Sequence, residues 1–156
     1  MKEIFPERAA SEMEMKRWDE REQRLFTHGS RYFGIYQLKR EESLREIRFM
    51  PLRYLVQRDI AVARANYELV YVAPLEDGMD LEEIYFKFNT AHPEDFVGHS
   101  LSVSDVIVLN REGDISAHYV DSFGFRLAPI FVKEAVFSME NRAIMGNVSK
   151  EKEGTK

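Results

Sequence analysis

One short run of residues constrains the fold more than any other part of this chain. Residues 105–110 read DVIVLN and are apolar on both faces, which is typical of a central strand buried on both sides. Residues 110–113, NREG, place Gly113 where a hairpin turn needs the left-handed conformation. Residues 114–121, DISAHYVD, then alternate apolar with polar side chains, as a half-buried strand does. The sequence therefore predicts a hairpin built around a central strand.

Strands and helices are both expected before this hairpin. Aromatic and branched residues predict three strands, at residues 31–39, 44–50 and 65–75. Pro51 suits the first turn of a helix, because its ring fixes the backbone angle that a helix needs. Asp80 is expected to cap a further amphipathic helix that ends near residue 89, since Glu83 follows it by three residues.

The last part of the domain is predicted as a loop or short final strand at residues 122–131 and a closing helix at residues 132–145. The fold class is α+β: a single domain with a mixed or mainly antiparallel sheet of about four to five strands, flanked by helices. A doubly wound nucleotide-binding fold is not indicated, because a regular strand–helix alternation with a glycine-rich first loop is missing.

A long polar helix is predicted for residues 7–26, where strong helix formers follow one another without proline or glycine. Its apolar face is thin, with Met15, Trp18 and Leu25. Two interpretations stay open: an arm of residues 1–30 that docks or pairs with a second copy as a homodimer, or a helix that lies across the domain. The domain proper is expected at residues 31–140, followed by a flexible tail at residues 141–156.

Composition removes several classes of function. The chain has 156 residues and no cysteine, so disulfides, thiolate nucleophiles and cysteine-based metal sites are excluded. Its first ten residues lack the apolar run of a signal peptide. No stretch approaches the roughly 18–20 apolar residues that a membrane span needs. We expect a soluble, cytoplasmic protein without membrane contact.

Charge is unevenly distributed along the chain. Residues 66–125 carry twelve acidic and two basic side chains, a net charge of −10, although the whole chain has a net charge of −5. A field of this sign attracts basic partners, but ordinary solvated surfaces also carry such runs. The binding residues predicted on this basis are Glu76, Asp77, Glu82, Glu83, Asp95 and His99.

The preceding segment has the opposite character. Residues 39–64 are rich in arginine, and aromatic side chains lie among the arginines. Arginine and aromatic rings together bind single strands by charge and by stacking. A nucleic-acid binder is therefore an alternative function, and it would use Arg45, Arg48, Arg53 and Arg58. The structural alternative is a helix with arginines on its outer face.

Residues 92–110, HPEDFVGHSLSVSDVIVLN, contain the residue types of a hydrolytic site. A small hydrolase or nuclease would use His99 with Asp105 or Asp121, because a triad joins nucleophile, base and orienting acid. GHSLS lacks the second glycine of Gly-x-Ser-x-Gly, so a strained nucleophile elbow is not predicted. The alternative is structural: serine and aspartate side chains lock the loop through hydrogen bonds, and no residue is catalytic.

Metal and cofactor sites are not indicated. The residues that are metal ligands by type are spaced as in no metal motif: His92, His99, His118 and Asp121. The glycines form no phosphate loop, and G-x-x-x-x-G-K does not occur. We therefore expect no metal and no cofactor.

One resemblance covers about residues 32–131. The run FNTAHPEDFVGHSLSVSDVIVLNREGDISAHYVDSFGFRLAPIF, with RYFGIYQLK and LREIRFMPLRYL before it, resembles the YodL-like domain. Its signature is P-x-D-F-x-G-H-S-L-S-V-S-D-V followed by Y-V-D-S-x-G-F. The signature positions outside the apolar residues are Pro93, Asp95, Gly98, His99, Ser100, Ser102, Ser104, Asp105, Asp121, Ser122 and Gly124.

The resemblance implies a biological setting and no chemistry. Such domains occur in bacterial conjugative elements, plasmids and phages, alone or within longer proteins, and no catalytic residue can be carried over from them. Together with the acidic segment, this predicts a non-enzymatic protein-interaction module of a mobile genetic element. In its sharper form the role is anti-restriction or anti-CRISPR, and the partner is a host or defence-system protein or nucleoprotein.

Overall fold

The computed structural model describes residues 20–96 and 98–140. None of the helices in this part of the chain has the length and hydropathy of a membrane span. In chain order the elements are α1 (residues 20–25), β1 (Arg31–Leu38), a 3-10 turn (Glu42–Ile47), α2 (Leu52–Gln57), a second 3-10 turn (Arg64–Asn66), β2 (Tyr67–Pro74), α3 (Leu81–Thr90), β3 (Val106–Arg111), β4 (Asp114–Val120), β5 (Phe125–Leu127) and α4 (residues 129–140).

The five strands form one sheet in the order β2-β1-β3-β4-β5. Each neighbouring pair is antiparallel. β3 occupies the middle, and its first five residues are buried, since both faces of a central strand are covered. Gly113 turns the chain into β4 with φ 98, the left-handed conformation that the hairpin needs. The predicted α+β class, the antiparallel sheet and the central strand are confirmed.

Helices cover both faces of the sheet. One face packs against α1, α2 and α4, through Leu25, Leu55 and Phe131. The other packs against α3 and the loop after it, through Ile84, Phe88 and Phe96. Phe88 and Phe96 meet edge to face with centroids 4.9 Å apart, a geometry worth about 0.5–1.5 kcal/mol beyond the buried area.

An irregularity interrupts the pairing of β1 with β2, which is an edge strand of the sheet. Ile35 pairs with Tyr71 and Tyr36 pairs with Leu69, so Val70 is an extra residue in β2. Such a bulge turns two consecutive side chains to one side, and Val70 and Tyr71 both pack on the face that α3 covers.

Local spacing explains where the sequence prediction was right and where it was wrong. α3 begins after Asp80, whose Oδ1 accepts the Glu83 N–H at 2.9 Å, as predicted. The strand predicted for residues 44–50 is wrong. Leu44 and Ile47 lie three residues apart, and a 3-10 turn brings that spacing to one side, where both are buried.

The predicted N-terminal helix falls mostly on residues 1–19, outside the described part of the chain. Residues 20–25 are helical and pack on the domain. Leu25 is fully buried, and Glu22 accepts hydrogen bonds from the Tyr36 hydroxyl at 2.6 Å and the Arg64 Nε–H at 2.7 Å. The arm, its homodimer and the tail at residues 141–156 stay predictions.

Candidate binding groove and acidic surface

The end of β1 carries a buried polar network. Gln37 is 2 % exposed; its Nε2 donates to Asp105 Oδ2 at 3.1 Å and to the His99 carbonyl at 2.8 Å. Its Oε1 accepts the His99 N–H at 3.2 Å. A Cβ at Gly98 would collide with that same Oε1, so glycine is needed where the loop passes the strand. One glutamine thus fastens the loop of residues 98–105 to the sheet.

Asp105 is the buried charge of this network, at 1 % exposure. Burial raises the pKa of Asp105 to about 7, because the carboxylate loses its hydration. The N–H groups of Ser102, at 2.9 Å, and Gln37 oppose that rise by donating to the charged oxygen. The backbone of Asp105 is also held, since its carbonyl accepts the Val120 N–H at 2.8 Å. The side chain therefore locks the loop and takes up a proton at a higher pH than a solvated aspartate does.

Two residues beside this lock hold backbone angles that side chains disfavour. Phe49 has φ 67 and Ser104 has φ 88, each at a cost of roughly 1–3 kcal/mol. The Phe49 N–H donates to Ser104 Oγ at 3.1 Å, and the Ser104 carbonyl accepts the Tyr67 hydroxyl at 2.6 Å. The Phe49 ring is 56 % exposed and lies near His99, with centroids 6.2 Å apart.

The segment of residues 49–52 is held at two further points. The Tyr119 hydroxyl donates to the Met50 carbonyl at 2.6 Å, and Asp121 Oδ1 accepts the Leu52 N–H at 3.1 Å. Ser104, Tyr119 and Asp121 therefore fix successive backbone groups around Phe49. Within the segment, the Met50 N–H donates to the Ile47 carbonyl at 3.2 Å, so Phe49 is the third residue of a local turn that these outside contacts also hold.

Gln37, Phe49 and His99 line an open groove of about 1110 Å³. Side chains of both charges surround these three. The cationic ones are Arg21, Arg24, Arg40, Arg45 and Arg48. The acidic ones are Glu41, Glu42, Glu68 and Asp95.

The catalytic candidates do not come together as a triad. Gln37 lies between His99 and Asp105. Asp121 makes separate contacts: it accepts the N–H groups of Leu52 and Ser122 and forms an ion pair with Arg126. The described residues show no hydrogen bond between His99 and either carboxylate. His99 Nδ1 lies 2.7 Å from the Ser100 carbonyl and 3.2 Å from Gln37 Nε2; a protonated Nδ1 donates to the carbonyl, and a bare one accepts from the amide. The histidine is oriented by backbone or amide and not by an acid.

The metal-ligand types are also separated. His92 contacts the Pro93 carbonyl, and His118 Nε2 lies 2.8 Å from Ser116 Oγ. Burial, followed by Arg111, lowers the pKa of His118. Within residues 20–96 and 98–140, no three histidine, aspartate or glutamate side chains are grouped to hold a metal ion.

The predicted binding residues divide between two places. Glu76, Asp77, Glu82 and Glu83 are exposed in the loop before α3 and in its first turn. Asp95 and His99 line the groove instead. The loop follows the β2 end beside Tyr32 of β1, whereas Gln37 lies at the other end of β1. Tyr32 and Gln37 are five residues apart along β1, which is about 17 Å at 3.3 Å per residue.

Glu112 enlarges the first group, which we call the acidic surface: Glu76, Asp77, Asp80, Glu82, Glu83 and Glu112. Arg31 bridges its two parts, with Nη2 3.5 Å from Asp77 and Nη1 3.5 Å from Glu112. Asp77 is fully exposed, so this pair contributes little to stability. Phe86 lies on the outer side of α3 beside these acids and is 68 % exposed.

The basic stretch predicted for nucleic acid is also divided. Arg45 and Arg48 line the groove, and Arg53 does not. Arg58 stacks on its neighbour Tyr54, with the guanidinium 3.5 Å from the ring centroid.

A family model for the YodL-like domain matches residues 32–130. The chain belongs to the YodL-like domain family. No curated protein and no solved structure matched the chain. In this YodL-like domain, the signature positions Gly98, Ser104, Asp105 and Asp121 serve as the clamps on Gln37 and on residues 49–52.

Sequence reasoning missed two residues that define the groove. Gln37 had a signal in the sequence, because it is a polar residue inside the apolar run of β1. Phe49 had none, since an aromatic residue in a short apolar run predicts burial, and the side chains that hold its segment, Ser104 and Tyr119, lie far along the chain.

Proposed function

We propose that this YodL-like domain is a non-enzymatic module that binds a basic protein through the acidic surface and Phe86. The observation that supports it most directly is the exposed phenyl ring within a field of carboxylates. Large aromatic side chains supply much of the energy of protein interfaces, and charge complementarity raises the association rate. An acidic surface around an aromatic anchor matches a partner with an apolar pocket in a basic rim.

The position of Phe86 on α3 makes one continuous surface with the acids. Glu82 and Glu83 lie four and three residues before Phe86, so their side chains are neighbours on a helix. Tyr85 is 36 % exposed beside them and meets Phe125 edge to face with centroids 6.2 Å apart. The anchor therefore projects from a rigid helix that is capped by Asp80.

Helix stability explains part of this charge but not all of it. Acids in the first turn of α3 interact favourably with the helix dipole, which accounts for Glu82 and Glu83. Glu76, Asp77 and Glu112 lie outside α3 and gain nothing from that dipole. Arg31 is the cation that two of them share. The excess negative charge is thus available to a partner.

A finer form of the proposal concerns biology. We propose that the partner is a protein or nucleoprotein of a host defence system, and that the domain serves a bacterial mobile element as an anti-restriction or anti-CRISPR factor. Proteins that bind nucleic acid present basic grooves, and an acidic surface with an aromatic anchor has the complementary charge to bind such a groove. The separation of His99, Asp105 and Asp121 favours binding over hydrolysis.

The test is affinity capture with matched baits from a bacterial lysate treated with nuclease. The baits are the wild type, Phe86→Ala, Phe137→Ala and a charge-reversal variant with Glu76, Asp77, Glu82 and Glu83 all changed to Lys. Phe137 is the control, because its ring on α4 is 69 % exposed, nearly the same as Phe86. The proposal requires a protein that the wild type and Phe137→Ala retain and the other two lose. It is abandoned if no protein shows that pattern.

The defence role has its own measurement. The wild type and the charge-reversal variant are expressed in strains that restrict a phage by restriction enzymes or by CRISPR, and plating efficiency is counted. Recovery of plating by the wild type alone supports the finer proposal. Equal plating with both proteins in both strains contradicts it and leaves the capture result unaffected.

A further inference from the structure

The groove at the end of β1 presents an aromatic ring at a cost to the fold. Phe49 is 56 % exposed and has a positive φ of 67. A strained residue is ordinarily retained where the surroundings impose it for function. Here Ser104, itself strained at φ 88, and Tyr119 hold the backbone on both sides of the Phe49 Cα. More than half of the Phe49 side chain is in solvent, so this conformation does not serve core packing.

Three arginines of the groove have positive charge that no carboxylate of the described residues neutralises through an ion pair. Within residues 20–96 and 98–140, Arg24, Arg40 and Arg48 make no ion pair. Arg48, which directly precedes Phe49, is also oriented, because its Nη2 donates to the Lys39 carbonyl at 2.6 Å. Arg45 is paired with Glu42 at 3.4 Å, but both side chains are about four-fifths exposed, and such pairs exchange readily.

The acids of the groove narrow the choice of ligand. Glu41, Glu42, Glu68 and Asp95 lie among the arginines. An acidic peptide or a duplex would bring negative charge against all four. A single strand fits both charges, because the exocyclic amino groups of its unpaired bases donate to carboxylates and its phosphates bind arginine.

We propose that the groove binds a short single-stranded nucleic acid, with one base stacked on Phe49 and the flanking phosphates on Arg24, Arg40 and Arg48. A ring, several cations and an open groove are the features by which proteins bind single strands. The volume of about 1110 Å³ exceeds that of most small-molecule pockets, and a few nucleotides would fit. This site is separate from the acidic surface, so either proposal can fail alone.

Fluorescence anisotropy tests the proposal with labelled 12-nucleotide DNA and RNA strands at about 20 mM salt. Loss of a stacked base weakens binding by about five- to 150-fold, so Phe49→Ala is expected to bind at least fivefold more weakly. Phe49→Trp keeps a stacking surface and should bind as well as the wild type. Phe123→Ala is the control, because that ring is 92 % exposed and lies outside the groove.

Arginine variants measure the phosphate contacts. Arg48→Ala should reduce the slope of log affinity against log salt by about 0.7, the value for one phosphate of a single strand. Arg53→Ala, an exposed arginine outside the groove, should leave the slope unchanged. Equal effects of the two variants would indicate non-specific attraction and would overturn the site.

Competition distinguishes the ligand classes. A 12-residue polyglutamate peptide and a 12-base-pair duplex are added to the single-strand complex. The proposal expects neither to displace the strand at equal phosphate or carboxylate concentration. It is overturned if polyglutamate displaces the strand, if Phe49→Ala binds like the wild type while it melts normally, or if no strand binds. Reversal of the acidic surface should not weaken this binding.

Discussion

The two ends of β1 carry their polar residues in opposite ways. At the groove end, Gln37, Ser104 and Asp105 are at most 2 % exposed, and each is tied to a partner far away in sequence. At the acidic surface, the side chains are solvated, and the ion pairs that Arg31 makes span 3.5 Å. The groove is thus shaped by buried hydrogen bonds, whereas the acidic surface is defined by exposed charges and one exposed aromatic ring.

This difference assigns a role to the family signature. Its serine, glycine and aspartate positions look like chemistry in the sequence, but in the structure they hold backbone: Ser104 holds Phe49, Asp105 holds the Ser102 N–H, and Asp121 holds Leu52. The acidic surface consists of residues before the signature and of Glu112, which lies between its two parts. Substitutions should therefore affect stability at one end and association at the other.

The largest effect is expected from Gln37→Ala. Three hydrogen bonds disappear, and the buried Asp105 loses one of its donors. We expect the free energy of unfolding to fall by about 2–4 kcal/mol, measured by urea denaturation. Glu68→Ala is the control, because Glu68 faces Gln37 across the strand pair and is exposed; it should cost less than about 0.5 kcal/mol. Equal losses of stability in the two variants would show that the buried Gln37 is no more important to the fold than the exposed Glu68.

The pH dependence of stability should trace Asp105. Its pKa is about 7 in the folded protein and 3.8 when unperturbed, so the folded state binds the proton more tightly. This group stabilises the fold below about pH 4, and that contribution is lost as pH rises through 7, by up to about 1.4 kcal/mol per pH unit. Asp105→Asn should flatten the curve of unfolding free energy between pH 4 and 7. A variant with the wild-type slope would contradict the assignment.

Ser104 separates strain from hydrogen bonding. Ser104→Ala removes the acceptor of the Phe49 N–H and keeps the strained φ of 88, so we expect a loss of about 1–2 kcal/mol. Ser104→Gly removes the same acceptor but relieves the strain, so it should be more stable than Ser104→Ala by about 1 kcal/mol. Thermal unfolding of both variants checks the order. The reverse order would show that the backbone is not strained there.

The smallest effect is expected at the acidic surface. Changing Glu76, Asp77, Glu82 and Glu83 to Gln or Asn should alter the free energy of unfolding by no more than about 1 kcal/mol, mostly through the first turn of α3. The change should vanish in about 1 M salt, because exposed charges are screened. A larger loss, or one that survives salt, would show that the acids are structural. Circular dichroism melts at two salt concentrations decide this.

Much of the fold could be predicted because its signals are local. The apolar run of β3, the turn at Gly113 and the Asp80 cap each depend on a few adjacent residues. The strand expected at residues 44–50 failed for the same reason. Ile47 and Phe49 have the spacing of a strand, whereas Leu44 and Ile47 have the spacing of a 3-10 turn; both Leu44 and Ile47 are buried against the core, and the turn forms.

The sequence by itself determined the α+β class, the central position of β3, the family and the excess of acid in residues 66–125. Tertiary structure alone decided which residues make the sites. It brought Gln37 to Asp105 across 68 residues, and it brought Ser104 Oγ to the Phe49 N–H across 55 residues. It also divided the basic stretch, so that Arg48 faces the groove and Arg53 does not. The physical reason is that buried polar contacts depend on partners far apart in sequence, which meet only when the strands pair and the domain folds.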